Sequence, residues 1–480
     1  MSESADTRLG RFVRAEAGAA DRSGIYALPI AEESFAARVL LARAAERSLD
    51  VQYYIWRGDT TGTLLLEELW NAAERGVRVR LLLDDNGIAG LDSTIAALDG
   101  HRNIEVRLFN PFPNRRWKPF GYLTDFRRLN RRMHNKSFTA DSVATIVGGR
   151  NIGDEYFDFG QGMTFADLDV LAFGHVARDV NDAFDRYWNA DAVRPAETVI
   201  RKAPSNAAPA MLARFAAVRE SAAAIAYVGA LRATRLIEAL LAHDLQLDWT
   251  RARLVCDPPG KAQGSVPDAD LVFASIREAL GSPERAIDLV SPYFVPGTKG
   301  TAALAGYAKR GIALRVLTNS LAATNHAAVH AGYARRRRAL LCARAELYEL
   351  KPGGKGPGRA AGSGGSIGSS SATLHAKTFV VDRARVFVGS LNFDPRSIRL
   401  NTEMGLVIES PKLAEAIANE LDRITQHEAY KVALVPGHRE LEWVELTAPG
   451  ERRYGAEPKT SFGRRIGVRL LALLPIEWLL

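Results

Sequence analysis

The chain has 480 residues, 47% apolar and 25% charged, with 63 basic against 55 acidic side chains. That length exceeds one ordinary core and calls for two or three domains, and the composition excludes a disordered chain. The formal charge of +8 favours anionic partners (phosphate groups, anionic lipid heads or nucleic acid) without choosing among them.

The N-terminus, MSESADTRLGRF, is polar and holds no apolar stretch of the signal-peptide kind. No run reaches the roughly 18 apolar residues of a spanning helix, so the expectation is a soluble or peripheral protein. Residues 46–86 read ERSLDVQYYIW, a helical stretch, then ERGVRVRLLLDDN. Residues 284–319 read ERAIDLVSPYFV, a helical stretch, then KRGIALRVLTN. Each is a β-α-β unit with parallel strands, and Gly76 and Gly311 fall where the helix must end. Between the units, NRRWKPFGYLTDFRRLNRRMH (114–134) mixes basic and aromatic residues. Such a mixture suits a lipid-headgroup surface, single-stranded nucleic acid, or a solvated basic face over core aromatics.

A short strand-like run with a histidine then follows each unit. The first holds His134, Lys136, Asp141, Gly148, Gly149 and Asn151; the second holds His375, Lys377, Asp382, Gly389, Ser390 and Asn392. Both fit H-x-K-x4-D-x6-G-(G/S)-x-N, which chance supplies about once in three million starts. The offset between copies is nearly constant, so the chain is a duplicated α/β unit. The domains expected are 1–195, 211–430 and a C-terminal extension 431–480, with a linker at about 192–210. Residues 352–372 are Gly/Ser-rich and read as a mobile surface insertion or a lid. After about 430 the chain reads as irregular. It ends in SFGRRIGVRLLALLPIEWLL, an interfacial anchor or a core-packing helix.

In an extended strand, residues i and i+2 share a face, so each histidine points with its lysine. A second short strand brings Asn151 or Asn392 back towards the ring. Two such halves facing each other offer two imidazoles, two ammoniums and two amides around one pocket. The set suits a phosphodiester. Lysines neutralise the non-bridging oxygens, amides donate to them, one imidazole attacks phosphorus and the other protonates the leaving alkoxide. No metal or cofactor is required. Cys256 and Cys342 lie far apart and imply neither a disulfide framework nor a zinc site. Each ring needs a partner on its other nitrogen. Asp167 follows the first motif and Glu403 the second at similar distance, with Asp169 competing for the first role.

The paired motif resembles that of the phospholipase D superfamily. Within it the chain is similar to the C type of bacterial cardiolipin synthase, through LDVQYYIW, IEVRLFNPF, LNRRMHNKSF, VGGRNIGDEYF, VGSLNFDPRS and LNTEMGLVIES. The resemblance implies two α/β/α sandwich halves arranged as a pseudo-dimer around one active site, and a covalent phosphohistidine. The implied catalytic set is His134, Lys136, Asp141, His375, Lys377 and Asp382, supported by Asn151, Asn392, Asp167 and Glu403, with His134 as nucleophile. The implied reaction passes a phosphatidyl group from phosphatidylethanolamine, or phosphatidylglycerol, to phosphatidylglycerol at the inner membrane. The need for an accessory protein is left open. The alternatives are a phosphodiesterase acting on lipid or nucleic acid with water as acceptor, and a non-catalytic membrane-binding protein. Nucleic acid is not the favoured partner.

Overall fold

In the computed structural model, residues 4–17, 19–115, 118–159, 164–200, 205–242, 244–353, 372–438, 440–447, 450–474 and Glu477 are described. The duplication runs deeper than the motifs. In the first sheet, strand Asp248–Thr250 lies at one edge. Beside it run Ser23–Leu28, Asp169–Gly174, Ala144–Gly148, Ser137–Ala140, Ser48–Ile55, Arg78–Gly87, Ile104–Phe109 and Val193–Pro195. The second sheet repeats the order from Ser23–Leu28 onwards, as Ala252–Cys256, Met404–Ile408, Arg385–Gly389, Thr378–Val381, Ala286–Val290, Ala313–Asn319, Glu346–Leu350 and Ala429–Leu434. It then adds Leu441–Thr447 and Gly450–Tyr454 at its edge.

The three central strands of each half are parallel and the motif strand pairs antiparallel beside them. A parallel strand is covered on both faces, which explains the unbroken apolar run at 81–83. Leu81 and Leu83 enter the helix-backed core, while Leu82 packs on the opposite face with Phe109, Tyr187 and Trp188. The helix Thr60–Glu74 starts where the Asp59 side chain accepts from Gly62 N–H. It stops at Gly76, whose φ of +93° no side chain adopts easily, and Gly311 repeats this at +87°.

The expected domain boundaries need correction. Val193–Pro195 is still an edge strand of the first sheet. Helices Ala207–Arg219, Ala222–Arg232 and Arg235–Leu241 bury Met211, Phe215, Tyr227 and Leu236 in the first core. The chain crosses to the second sheet at Arg251, not at 192–210, because these apolar faces have no other core to enter. Residues 431–480 are not an irregular extension either: they supply the added edge strands and the helix Phe462–Leu473. The Gly/Ser-rich stretch lies outside the described residues from 354 to 371, as do Arg116, Trp117, Pro475 and Trp478.

The halves meet through strands on either side of the seam, where Val147, Val170 and Ala172 pack with Val380, Val388 and Leu406 in one shared core. Two further links cross it. Ala372–Leu374 pairs in parallel with Thr164–Ala166, and Met133 bridges Thr402. These links set the register of the site.

Candidate active site at the seam of the two halves

His134 and His375 stand just before their strands, beyond the ends of the parallel strands, where the crossing links hold them. His134 N–H donates to Thr402 O at 2.8 Å, and His375 N–H donates to Ala166 O at 2.8 Å. Each acceptor is the residue before a carboxylate of the opposite half. The consequence is a crossed pairing. His134 Nδ1 lies 2.8 Å from Glu403 Oε2, and His375 Nδ1 lies 2.5 Å from Asp167 Oδ2. Asp167 therefore serves the second histidine and Glu403 the first, the reverse of the pairing expected from distance along the chain. Asp169 serves neither: it is buried against Arg38 and Arg150.

Each Nδ1 is engaged by a carboxylate of the other half, which orients the ring. Burial lowers both imidazoles to about 4, each further depressed by lysines. The charge of Lys377 reaches His134 and that of Lys136 reaches His375, so the two motifs share one field. Burial brings Lys136 down to about 7 and Lys377 to about 8. An anion seated beside them raises both and favours the charged amines. Burial alone would raise Asp167 and Glu403. The facing Lys377 and His375 hold Asp167 below the usual carboxylate range, and His134 with Lys136 does the same for Glu403.

Lys136 Nζ donates to His134 O at 2.5 Å, and Lys377 Nζ lies 2.9 Å from His375 Nδ1. Asn151 Oδ1 accepts from Ile55 N–H, and its Nδ2 donates to Tyr156 OH at 3.1 Å. Asn392 is buried and its Oδ1 has no partner among the described residues.

Asp141 and Asp382 do not belong to the site. Five residues of extended chain carry each about 16 Å from its lysine. Both occupy two-residue turns with positive φ, +52° at Asp141 and +55° at Asp382. The Asp141 carboxylate accepts from the N–H groups of Glu46, Arg47 and Ser48, and Asp382 does so from Glu284, Arg285 and Ala286. The motif aspartate ties the turn to the start of the neighbouring strand. Asp141→Ala strands three amides. It is expected to lower stability by on the order of 3 kcal/mol, while folded protein keeps turnover within a few-fold of wild type. Denaturant unfolding and a cold activity assay on one preparation check this. A loss as deep as that of a histidine variant would return Asp141 to the chemistry.

The sequence reading missed a clamp present in both copies. Asp84 Oδ2 accepts from Met133 N–H at 2.8 Å, and Asn319 holds Leu374 through both its N–H and its C=O. These fix the residue before each histidine. The signal was the polar end shared by RVRLLLDDN and ALRVLTN. Also missed were Tyr54 and Tyr156, edge-on to His134 and His375 at 5.1 and 5.4 Å, and the part played by the motif's Ser390, whose hydroxyl donates to Glu403. Ser390 explains the Gly/Ser alternation of the motif. At Gly149 a Cβ would stand 2.1 Å from Asp167 Oδ1, so only glycine fits beside that shorter acid.

Two histidines on one seam, each oriented by the other half's carboxylate and flanked by a buried lysine, define a phosphodiester-transfer site of the phospholipase D type. The chain belongs to the family "Cardiolipin synthase, PLD-like domain", which matches residues 40–188 and 276–425. It is 47% identical over 457 residues to cardiolipin synthase C of Escherichia coli K12, covering 95% of this chain and 96% of that one. Cardiolipin synthase A of Pseudomonas syringae is 26% identical, across 78% of this chain and 63% of its own length. Phosphatidylserine synthase of Haemophilus influenzae shares the fold at a TM-score of 0.59 with 14% identity, over 95% of both chains.

Proposed function

We propose that the chain makes cardiolipin, moving a phosphatidyl group from phosphatidylethanolamine or phosphatidylglycerol to phosphatidylglycerol through a phosphohistidine. The observation that carries this reading is the crossed histidine–carboxylate pairing. It makes one site from two motifs, with a neutral ring on each side of a bound phosphorus. His134 Nε2 attacks phosphorus and forms a P–N bond. The bond to the headgroup oxygen breaks, and that oxygen takes a proton from His375, charged once the anionic phosphate is seated. The acceptor's terminal hydroxyl then gives its proton to His375 and displaces His134. Lys136, Lys377 and the Asn392 amide hold the non-bridging oxygens throughout.

The test is incubation with isotopically distinct phosphatidylethanolamine and phosphatidylglycerol, followed by mass analysis. Cardiolipin carrying one phosphatidyl group from each, with free ethanolamine, is expected. Phosphatidic acid as the sole product would make the chain a phospholipase with water as acceptor.

Such substrates suit a peripheral seat on the inner membrane. No helix among the described residues is long and apolar enough to cross a bilayer. The C-terminal helix supports this seat. Val468 packs with Leu321 and Ala331, while Phe462, Ile466, Leu470 and Leu473 form an exposed apolar stripe. Arg469 beside the stripe suits anionic headgroups. Replacing Phe462, Leu470 and Leu473 together by serine should weaken binding to anionic vesicles about ten-fold or more while sparing the packed face. Vesicle flotation measures it, and unchanged binding would leave the helix a packing element only.

A further inference from the structure

The proposed reaction joins two lipids, each with a phosphate, and the histidine–lysine cluster accounts for one. We propose that a second groove, of about 1100 Å³, seats the phosphodiester of the acceptor lipid. This inference rests on the transferase reading and names the place of its second substrate.

The groove lies on the catalytic side of the first sheet. It is bounded by Asn110 at the end of strand Ile104–Phe109, by Arg131 three residues before His134, and by Leu400 three residues before Glu403. Four arginines line it, Arg127, Arg128, Arg131 and Arg194, against two aspartates. Among the described residues Arg128 is neutralised by Asp125. Arg131 donates to the carbonyls of Lys261 and Arg399, and Arg194 to those of Asp191 and Val193. Arg127 has no partner among the described residues. Burial and the neighbouring Arg127 both disfavour the charge on Arg131. Arg127, Arg131 and Arg194 crowd together with no carboxylate paired to them among the described residues, an arrangement that an incoming anion stabilises.

The rim identifies the anion as a lipid's. Phe126 lines the groove and is 44% exposed, and Leu123, three residues earlier and outside the lining, is 81% exposed. An apolar ring standing out of a basic cleft, with an exposed leucine three residues away along the chain, suits acyl chains beside a headgroup, not a free ion. Because the segments of His134 and Glu403 supply Arg131 and Leu400 to the groove, a phosphatidylglycerol held here would extend its glycerol hydroxyl towards them.

The test uses the full chain in neutral-detergent mixed micelles, which removes bulk membrane charge. Arg131 is left intact because it ties the halves together. In Arg127→Ala/Arg194→Ala, the KM for phosphatidylglycerol should rise about five- to ten-fold. The ratio of transfer to phosphatidylglycerol over transfer to free glycerol should fall by the same factor. Glycerophosphoglycerol should compete with phosphatidylglycerol on the wild type and lose that effect in the variant. An unchanged KM, or a parallel loss with both acceptors, overturns the proposal. Competition by inorganic phosphate as strong as that of glycerophosphoglycerol overturns the lipid assignment. A wild type that forms no phosphatidyl product with either acceptor, but hydrolyses donor, instead overturns the transferase reading, and is told apart by that product.

Discussion

Changing either His134 or His375 to alanine is expected to lower cardiolipin formation by about 10⁴-fold, and changing both to cost little more. The crossed geometry supplies the reason. Each half holds a complete histidine–lysine motif, yet each ring takes its orienting carboxylate from the other half. Neither half is therefore a site alone, and once one ring is gone the other has no step left to serve. The same geometry gives a sharper expectation for the carboxylates. Glu403→Gln should impair the step that His134 performs, although the two lie in different halves, and Asp167→Asn should impair that of His375. Steady-state rates for the two single variants and the double variant, with folding checked by calorimetry, settle it. A single variant with wild-type turnover would break the shared-site reading.

The sequence made the repeat legible because periodicity and glycine positions are local. The β-α-β units and the helix ends at Gly76 and Gly311 follow from burial pattern and backbone sterics alone. The histidine–lysine pairs were legible for the same reason. The partner of each histidine was not, because it depends on a pairing across the seam, Met133 with Thr402 and Ala372–Leu374 with Thr164–Ala166. Nothing in a count of residues along the chain encodes that register. The motif aspartates misled differently. Their constant spacing from the histidines was real but reflected strand length, since Asp141 and Asp382 close turns at the far ends of their strands. The passage between halves was misplaced because a Pro/Ala-rich stretch resembles a linker, whereas helices 207–241 bury their apolar faces in the first core.

A covalent adduct is expected on His134 and not on His375. In-line displacement needs a nucleophile and a separate proton donor on opposite sides of phosphorus, so one ring cannot do both in one step. The two rings are close to equivalent in burial, and their surroundings separate them. His375 sits 2.5 Å from Asp167, with Lys377 Nζ 2.9 Å from the same ring nitrogen, so its protonation follows the charge around the phosphate closely. That suits the ring that gives and takes protons. His134 pairs with Glu403, whose oxygen is shared with the Ser390 hydroxyl, which moderates its pull and leaves a neutral ring free to attack. In a His375→Ala protein, a nitrophenyl phosphodiester should still react, because its leaving group needs no proton. One equivalent of nitrophenol should appear in a burst, and the adduct should then persist, since no base remains to activate an acceptor. In a His134→Ala protein neither burst nor adduct should form. Mass mapping of an acid-labile, base-stable phosphoryl group assigns the ring, and its recovery on His375 in the His134→Ala protein would reverse the roles.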